Sequence, residues 1–275
     1  MSRPHVAACL LVLLAFAGAS PSRAGDVPPL DALVSRISMS LGGAQGGAAV
    51  LAKATAFDMV FRRTFKDSHS RDEVTADHRY LSLDRGVRQR LDIRVVDGEG
   101  KDSAAVVTAE GSWLIVDAAV HDVDAETVRA QLTEFDPLRL YSVPFALGSE
   151  GRQILGAASL SAAEKDGDRF ILIGRDEEGT ETSRLEVDAR SYRPLVVQFQ
   201  SSSGHVEYRY GDYQEIADGL VVPFEREFWR NGTRISRTEV SRFRLKAPAD
   251  APNLFDHAQS ALGVLPDVKP IPKAP

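Results

Sequence analysis

Along residues 184–245, apolar and polar side chains alternate one for one, and turn residues break the pattern at short intervals. Leu185 and Val187 alternate with Glu186 and Asp188, and Leu195, Val197 and Phe199 alternate with Val196 and Gln198. Val206, Tyr208 and Tyr210 alternate with Glu207 and Arg209. A strand sends successive side chains to opposite faces, so this ladder predicts antiparallel sheet with one apolar and one wet face. Asn231-Gly232 predicts a two-residue hairpin turn between strands at 224–229 and 235–245.

Upstream the period changes. Pro28-Pro29 precede Leu30, Leu33, Val34, Ile37 and Leu41 at helical spacing, and Gly42-Gly43 end that helix because glycine takes the left-handed cap conformation. The Ala-rich residues 48–54 predict another short helix. From Phe57 the period is two: Phe57, Met59 and Phe61 face one way, Asp58 and Arg62 the other. Leu91, Ile93 and Val95 alternate with Arg90, Asp92 and Arg94, and Asp97-Gly98 begin a turn. Residues 104–108 are expected to pair with 113–116 across Glu110-Gly111. Residues 124–135 interrupt the strands with a helix, acidic in its first turn and stopped by Pro137, and the apolar loop 140–147 follows. Strands resume at 154–161 and 169–175.

Strands do not alternate with helices, which argues against a parallel α/β sheet. The expected fold is α+β: a single large curved antiparallel sheet, an incomplete β-barrel of about 10–11 strands, with helices covering the concave face. Residues 25–261 form that one domain. Residues 262–275 carry four prolines and predict an extended tail. Residues 1–24 read as a cleaved export signal: Arg3 in the n-region, an apolar core at 6–19, and Ser22-Arg23-Ala24 as the cleavage site. The apolar core is shorter than the roughly 20 residues of a membrane-spanning helix.

Cys9, the only cysteine, lies inside that signal, so the mature chain is expected to hold no disulfide and no thiol chemistry. Losing residues 1–24 removes two arginines and no acid, which takes the net charge from −6 to −8. An acidic chain has no general attraction for nucleic acid. His69, His78, His121, His205 and His257 form no metal-ligand pattern, and no G-x-S-x-G elbow is present. The carboxylate pairs Asp166/Asp168 and Glu177/Glu178 sit beside glycines at hairpin tips. Arg226, Arg230, Arg234, Arg237, Arg242 and Arg244 interleave with aromatics; Glu225, Glu227 and Glu239 neutralise much of that cluster, which reads as a solvated outer face. No catalytic residue, metal or cofactor is expected, and the chain reads as a non-enzyme.

The positive signal is apolar surface in excess of what a thin sheet needs. Phe57, Met59, Phe61, Leu91, Ile93, Val95, Trp113, Val197, Phe199, Tyr208, Tyr210 and Phe224 are the candidate walls of a cavity for a large apolar ligand, and Phe228 falls at a strand position that could share their face.

Four segments carry a family likeness. Residues 33–51 (LVSRISMSLGGAQGGAAVL) form a helix, a glycine pair and a second helix before the first strand. Residues 185–199 (LEVDARSYRPLVVQF) form a strand–Asp–turn–Pro–strand unit. Residues 208–224 (YRYGDYQEIADGLVVPF) form a Tyr-x-x-Tyr and Asp-Gly-x-x-x-Pro hairpin, and Asn253-Leu254-Phe255-Asp256 form a closing segment that ends the sheet. In that order they resemble the outer-membrane lipoprotein carrier and sorting family, the Lol-type carriers and their relatives. The resemblance implies a half-barrel with a helical lid, an apolar cavity for lipid or lipoprotein acyl chains, a periplasmic location and no reaction. It implies membrane-protein donors and acceptors, and the chain is expected to be a monomer. A latch arginine could be Arg62, Arg63, Arg90 or Arg94. The helices at 30–41 and 124–135 would form the lid. An envelope sensor or scaffold of the same fold, binding a protein through 140–147, is the alternative, and an envelope hydrolase the remaining one.

Overall fold

The computed structural model describes residues 27–42, 47–66, 72–141, 159–217, 219–249 and 251–256. The export signal, the apolar loop beyond Tyr141, His69, His257 and the proline-rich tail lie outside the described residues. Those residues form thirteen strands in one antiparallel sheet, more than the ten to eleven expected, and the sheet is not closed into a barrel.

The chain makes two meanders. The first runs β1 (Phe57–Lys66), β2 (Glu73–Leu83), β3 (Arg88–Asp97), β4 (Ser103–Val107), β5 (Ser112–Val116) and β6 (Ala119–Asp122). The second runs β7 (Ser159–Asp166), β8 (Arg169–Arg175), β9 (Glu181–Asp188), β10 (Pro194–Ser201), β11 (Gly204–Ala217), β12 (Leu220–Arg230) and β13 (Thr233–Arg244). Pairing of β1 with β13 joins them, with Met59 opposite Phe243 and Phe61 opposite Val240. Strands β6 and β7, consecutive in sequence, therefore occupy the two outer edges of the sheet. The ladder at 184–245 is not a domain of its own; it is five neighbouring strands of one sheet.

Local chemistry fixes the elements where the patterns place them. At the β12–β13 turn, Asn231 (φ 48°) and Gly232 (φ 75°) both take left-handed backbone, as a two-residue hairpin requires. Helix α1 (Leu30–Gly42) buries Leu33, Ile37 and Leu41, the stripe its spacing predicts. Helix α2 (Gly47–Lys53) follows, and α3 (Ala125–Thr133) starts where the Asp124 carboxylate accepts the Thr127 N–H at 2.8 Å. A single turn, α4 (Pro137–Leu140), comes next. The β9–β10 turn is tied down by Asp188, which accepts N–H groups from Arg190 and Ser191, and α1 is anchored there by Ser40 donating to the Tyr192 carbonyl at 3.0 Å.

Both faces of the first meander are buried. On one face, Phe57, Met59, Phe61, Tyr80, Leu91, Ala105 and Val107 pack with Val128 and Leu132 of α3 and with Leu220, Val222, Phe224 and Phe243. On the other, a 3-10 turn at Ala251–Phe255 covers Leu81, Leu83, Ala104, Val106, Trp113 and Ile115. That outer face also buries ion pairs: Asp58 with Arg79 at 3.0 Å and with Arg242 at 3.0 Å, and Arg90 with Asp92 at 2.7 Å. The Arg90 guanidinium donates to the Leu254 carbonyl at 2.6 Å, which latches the closing segment to the sheet. That segment thus packs across the sheet's outer face. A separate inner-face core joins Leu33, Ile37 and Leu41 of α1 to Phe170, Leu172, Leu185, Val187, Val197 and Tyr210.

Candidate functional site

The helix-covered face consists of two packed halves with a seam between them. The first half is roofed by α2, α3 and α4, the second by α1. The seam runs along β11 and β12, where Tyr208 pairs with Phe228 and Tyr210 with Arg226. Directly opposed residues in an antiparallel pair point to the same side, so all four share this face. Phe199, Tyr208 and Phe228 line up as contiguous rings, at 6.1 Å and 5.2 Å between centroids, and all three stay half-buried. They are large apolar groups that the protein does not fully cover.

The structure brings most of the predicted walls together, in two groups. Phe57, Met59, Phe61, Leu91 and Phe224 lie in the first core with Ile93 against it, and Val197 and Tyr210 lie in the second with Phe199 and Tyr208 at its margin. Val95 is half-buried in neither. Trp113 is on the opposite face, under Phe255, because β5 is apolar on both sides (Ser-Trp-Leu-Ile-Val) and its alternation carries no directional signal. Trp113 and Phe255 line a cleft of about 610 Å³ beside the start of α3, with Ser112, Asp122, Asp124 and Glu110.

Arg226 corrects the reading of an outer basic face. Strand alternation with Phe224 and Phe228 turns it inward, where its guanidinium lies 4.5 Å from the Tyr208 ring centroid. Glu225 and Glu227, its sequence neighbours, face outward and pair with Arg237 (2.6 Å) and Arg234 (3.6 Å). Burial raises the Tyr210 and Tyr141 phenols well above the usual range, and the nearby Arg226 charge opposes the rise in both. Tyr141 stacks on Phe243 at 5.7 Å and belongs to the first core, while Tyr210 belongs to the second. Arg226 therefore sits where the two halves meet.

Of the latch candidates, Arg63 is on the inner face and is already engaged, bonding Glu134 at 2.7 Å over the Phe135 ring. Arg62 is bonded to Asp77 at 2.8 Å, and Arg90 to Asp92, on the outer face. His78, which carried no signal in sequence, stacks on Phe61 at 4.8 Å and Phe135 at 5.5 Å, and its Nδ1–H donates to the Ala76 carbonyl at 3.0 Å. Burial first, then the Arg63 charge, lowers its pKa to about 4, so the ring is neutral at physiological pH. Among the described residues, no group of three or more His, Cys, Asp or Glu side chains is placed to hold a metal ion, and no helix is long and apolar enough to cross a membrane.

No family model matches the sequence, and no curated protein matches it at a significant level. Among solved structures, the chain is similar to a domain described as an outer membrane lipoprotein-sorting protein from Vibrio parahaemolyticus, with 14% identity over 77% of this chain and 94% of that one, at a TM-score of 0.40. It is also similar to a LolA superfamily protein from Nitrosomonas europaea, with 13% identity over 84% and 99% of the two chains, at a TM-score of 0.41. A DUF1329 family protein from Desulfovibrio piger matches with 14% identity over the same shares, also at 0.41. The family named from the motifs is thus represented among the structures this chain is similar to. Superposition at that level is partial; the fold class rests on the strand order itself.

Proposed function

We propose that the protein is a periplasmic lipid- or lipoprotein-binding carrier that holds acyl chains against the helix-covered face of its sheet. The observation that carries this reading is the row Phe199–Tyr208–Phe228, three contiguous rings left half-buried beside two cores that are otherwise closed. Each methylene laid on such a surface gains about 0.8 kcal/mol, so an acyl chain is the ligand for which the row is best suited. Helix α1 and α3 form the roof, the periplasm is the compartment implied by the export signal, and the donor and acceptor would be membrane proteins of the envelope. No step of chemistry is assigned. Mass spectrometry of organic extracts from the purified full chain, with uptake of a fluorescent fatty-acid probe, tests this. Co-purified lipid and saturable uptake are expected, and Phe228→Asp is expected to weaken uptake about tenfold or more while the far-UV spectrum is kept, since the row would then present a charge to the acyl chain. Absence of both lipid and uptake would refute the carrier reading.

A further inference from the structure

The seam contains polar groups that the protein leaves short of partners. The Arg226 Nε is buried without a hydrogen-bond partner, and the hydroxyl of Tyr210, a residue 6% exposed, has no acceptor; the guanidinium lies near enough to the phenol oxygen to donate toward it, which leaves the O–H itself unused. A guanidinium carries five N–H donors in one plane. The Tyr208 ring meets its flat face, which attracts the charge but accepts none of those donors in-plane. Arg63, on the same face, bonds Glu134, and on the far side of the sheet Arg237 bonds Glu225 and Glu239. Arg230, 5.4 Å from the Phe228 ring centroid, has no carboxylate among the described residues either, but it is exposed and solvated by water, whereas the Arg226 Nε is buried. Among the described residues, none is bonded to Arg226 through a carboxylate. A half-buried cation without a counter-charge is costly to a fold, so its retention beside an open aromatic row calls for an anion supplied from outside.

Taking the acyl-binding reading as its basis, we propose that Arg226 and the Tyr210 hydroxyl form a headgroup site for an anionic amphiphile, whose carboxylate or phosphate oxygens accept from both while its chain lies along Phe228, Tyr208 and Phe199. The guanidinium would be the primary donor and the phenol, neutral because burial raises its pKa, the second. The ligand class follows from the juxtaposition: a planar cationic fork and a hydroxyl beside an apolar row, against its central ring Tyr208, fit an acidic head on a hydrocarbon tail, and not an uncharged lipid.

The test compares a pyrene-labelled dodecanoic acid with its methyl ester on the purified full chain, by fluorescence titration. The acid is expected to bind about 10- to 100-fold tighter than the ester, the range of a charge-assisted hydrogen bond. Arg226→Met should remove that preference and leave the ester's affinity unchanged, with Arg226→Lys intermediate because a point charge lacks the fork. Tyr210→Phe keeps the ring and should weaken the acid several-fold but not the ester, which preserves the test if the Arg226 variants do not fold. Equal binding of acid and ester by the wild type, or an equal loss of both in the variants, would overturn the headgroup site while the carrier reading stood. Binding of neither probe would remove the carrier reading and this site with it. Inorganic phosphate is expected to displace the acid only at concentrations far above the acid's own; displacement by phosphate at concentrations equal to the acid's would mean that the hydrocarbon chain adds nothing, and would overturn the assignment to an amphiphile.

Discussion

Acidification should destabilise this fold in measurable part through His78. His78 is 3% exposed and its ring packs in a triangle with Phe61 and Phe135, with Arg63 as the charge that lowers its pKa most and Asp77 opposing more weakly. The folded-state pKa is about 4, against an ordinary value of 6.5. The unfolded chain therefore binds a proton that the folded one refuses across that interval. Stability rises with pH there, and the contribution is fully present above pH 6.5 and lost as pH falls toward 4. At 1.36 kcal/mol per unit, the loss attributable to His78 is about 3 kcal/mol. His78→Phe retains the stacked ring and removes the titration, at the cost of the bond to the Ala76 carbonyl, a penalty that does not depend on pH. Urea unfolding of both proteins, followed by Trp113 and Trp229 fluorescence between about pH 7.5 and about pH 4, should show the free-energy gap changing by about 3 kcal/mol in the variant's favour as pH falls. Carboxylates titrating in the same range affect both proteins alike and cancel in the difference. Curves that stay parallel would refute the burial argument, and would mean that the ring is reached by water or that the native state relaxes around its charge.

Two further substitutions test the scaffold. Asp58→Ala strands Arg79, whose side chain is 5% exposed, on the outer face with Arg242 unable to compensate it, and should cost about 3–5 kcal/mol in urea unfolding; a loss under about 1 kcal/mol would show that water replaces the carboxylate. Gly232→Ala places a Cβ in open space but in left-handed backbone, so the expected loss is about 1 kcal/mol, read by the same unfolding curves, and a neutral result would count against the hairpin geometry.

How much of this was legible in the sequence follows from which signals are local. A hairpin turn, a helix stripe and strand alternation are each written within about ten residues, and Leu33, Ile37, Leu41, Val197 and Tyr210 are buried where their periodicity puts them. The β1–β13 pairing is not local: it joins residues some 180 positions apart, as Met59 does to Phe243, and no short window contains it. Strand β6, four residues long and with only Val120 half-buried, has too little apolar content to show as a strand at all. Trp113 was assigned to the wrong face because a strand apolar on both sides has no parity, and only the packing of the 251–255 turn on the outer face decides which side it joins. The fold class was therefore readable and the pairing that joins its two meanders was not.

Arg226 marks the opposite kind of error, one where the signal was present. Its neighbours Phe224 and Phe228 alternate with Glu225 and Glu227, so period two alone places it inward, yet a count of nearby charges placed it outward. Charge counting treats a strand's two faces as one surface and so pairs Arg226 with carboxylates that lie on the other side of the sheet. Separated by face, the outer arginines Arg234 and Arg237 take Glu225, Glu227 and Glu239, and among the described residues the inner face keeps Arg226, buried at its Nε, and the exposed Arg230 without a carboxylate. That imbalance cannot be removed by side-chain rotation, because the backbone pleat divides the two sets. The only remaining ways to neutralise Arg226 are solvent or a ligand, and it is the half-burial of the guanidinium between Tyr208 and Tyr210 that favours the ligand.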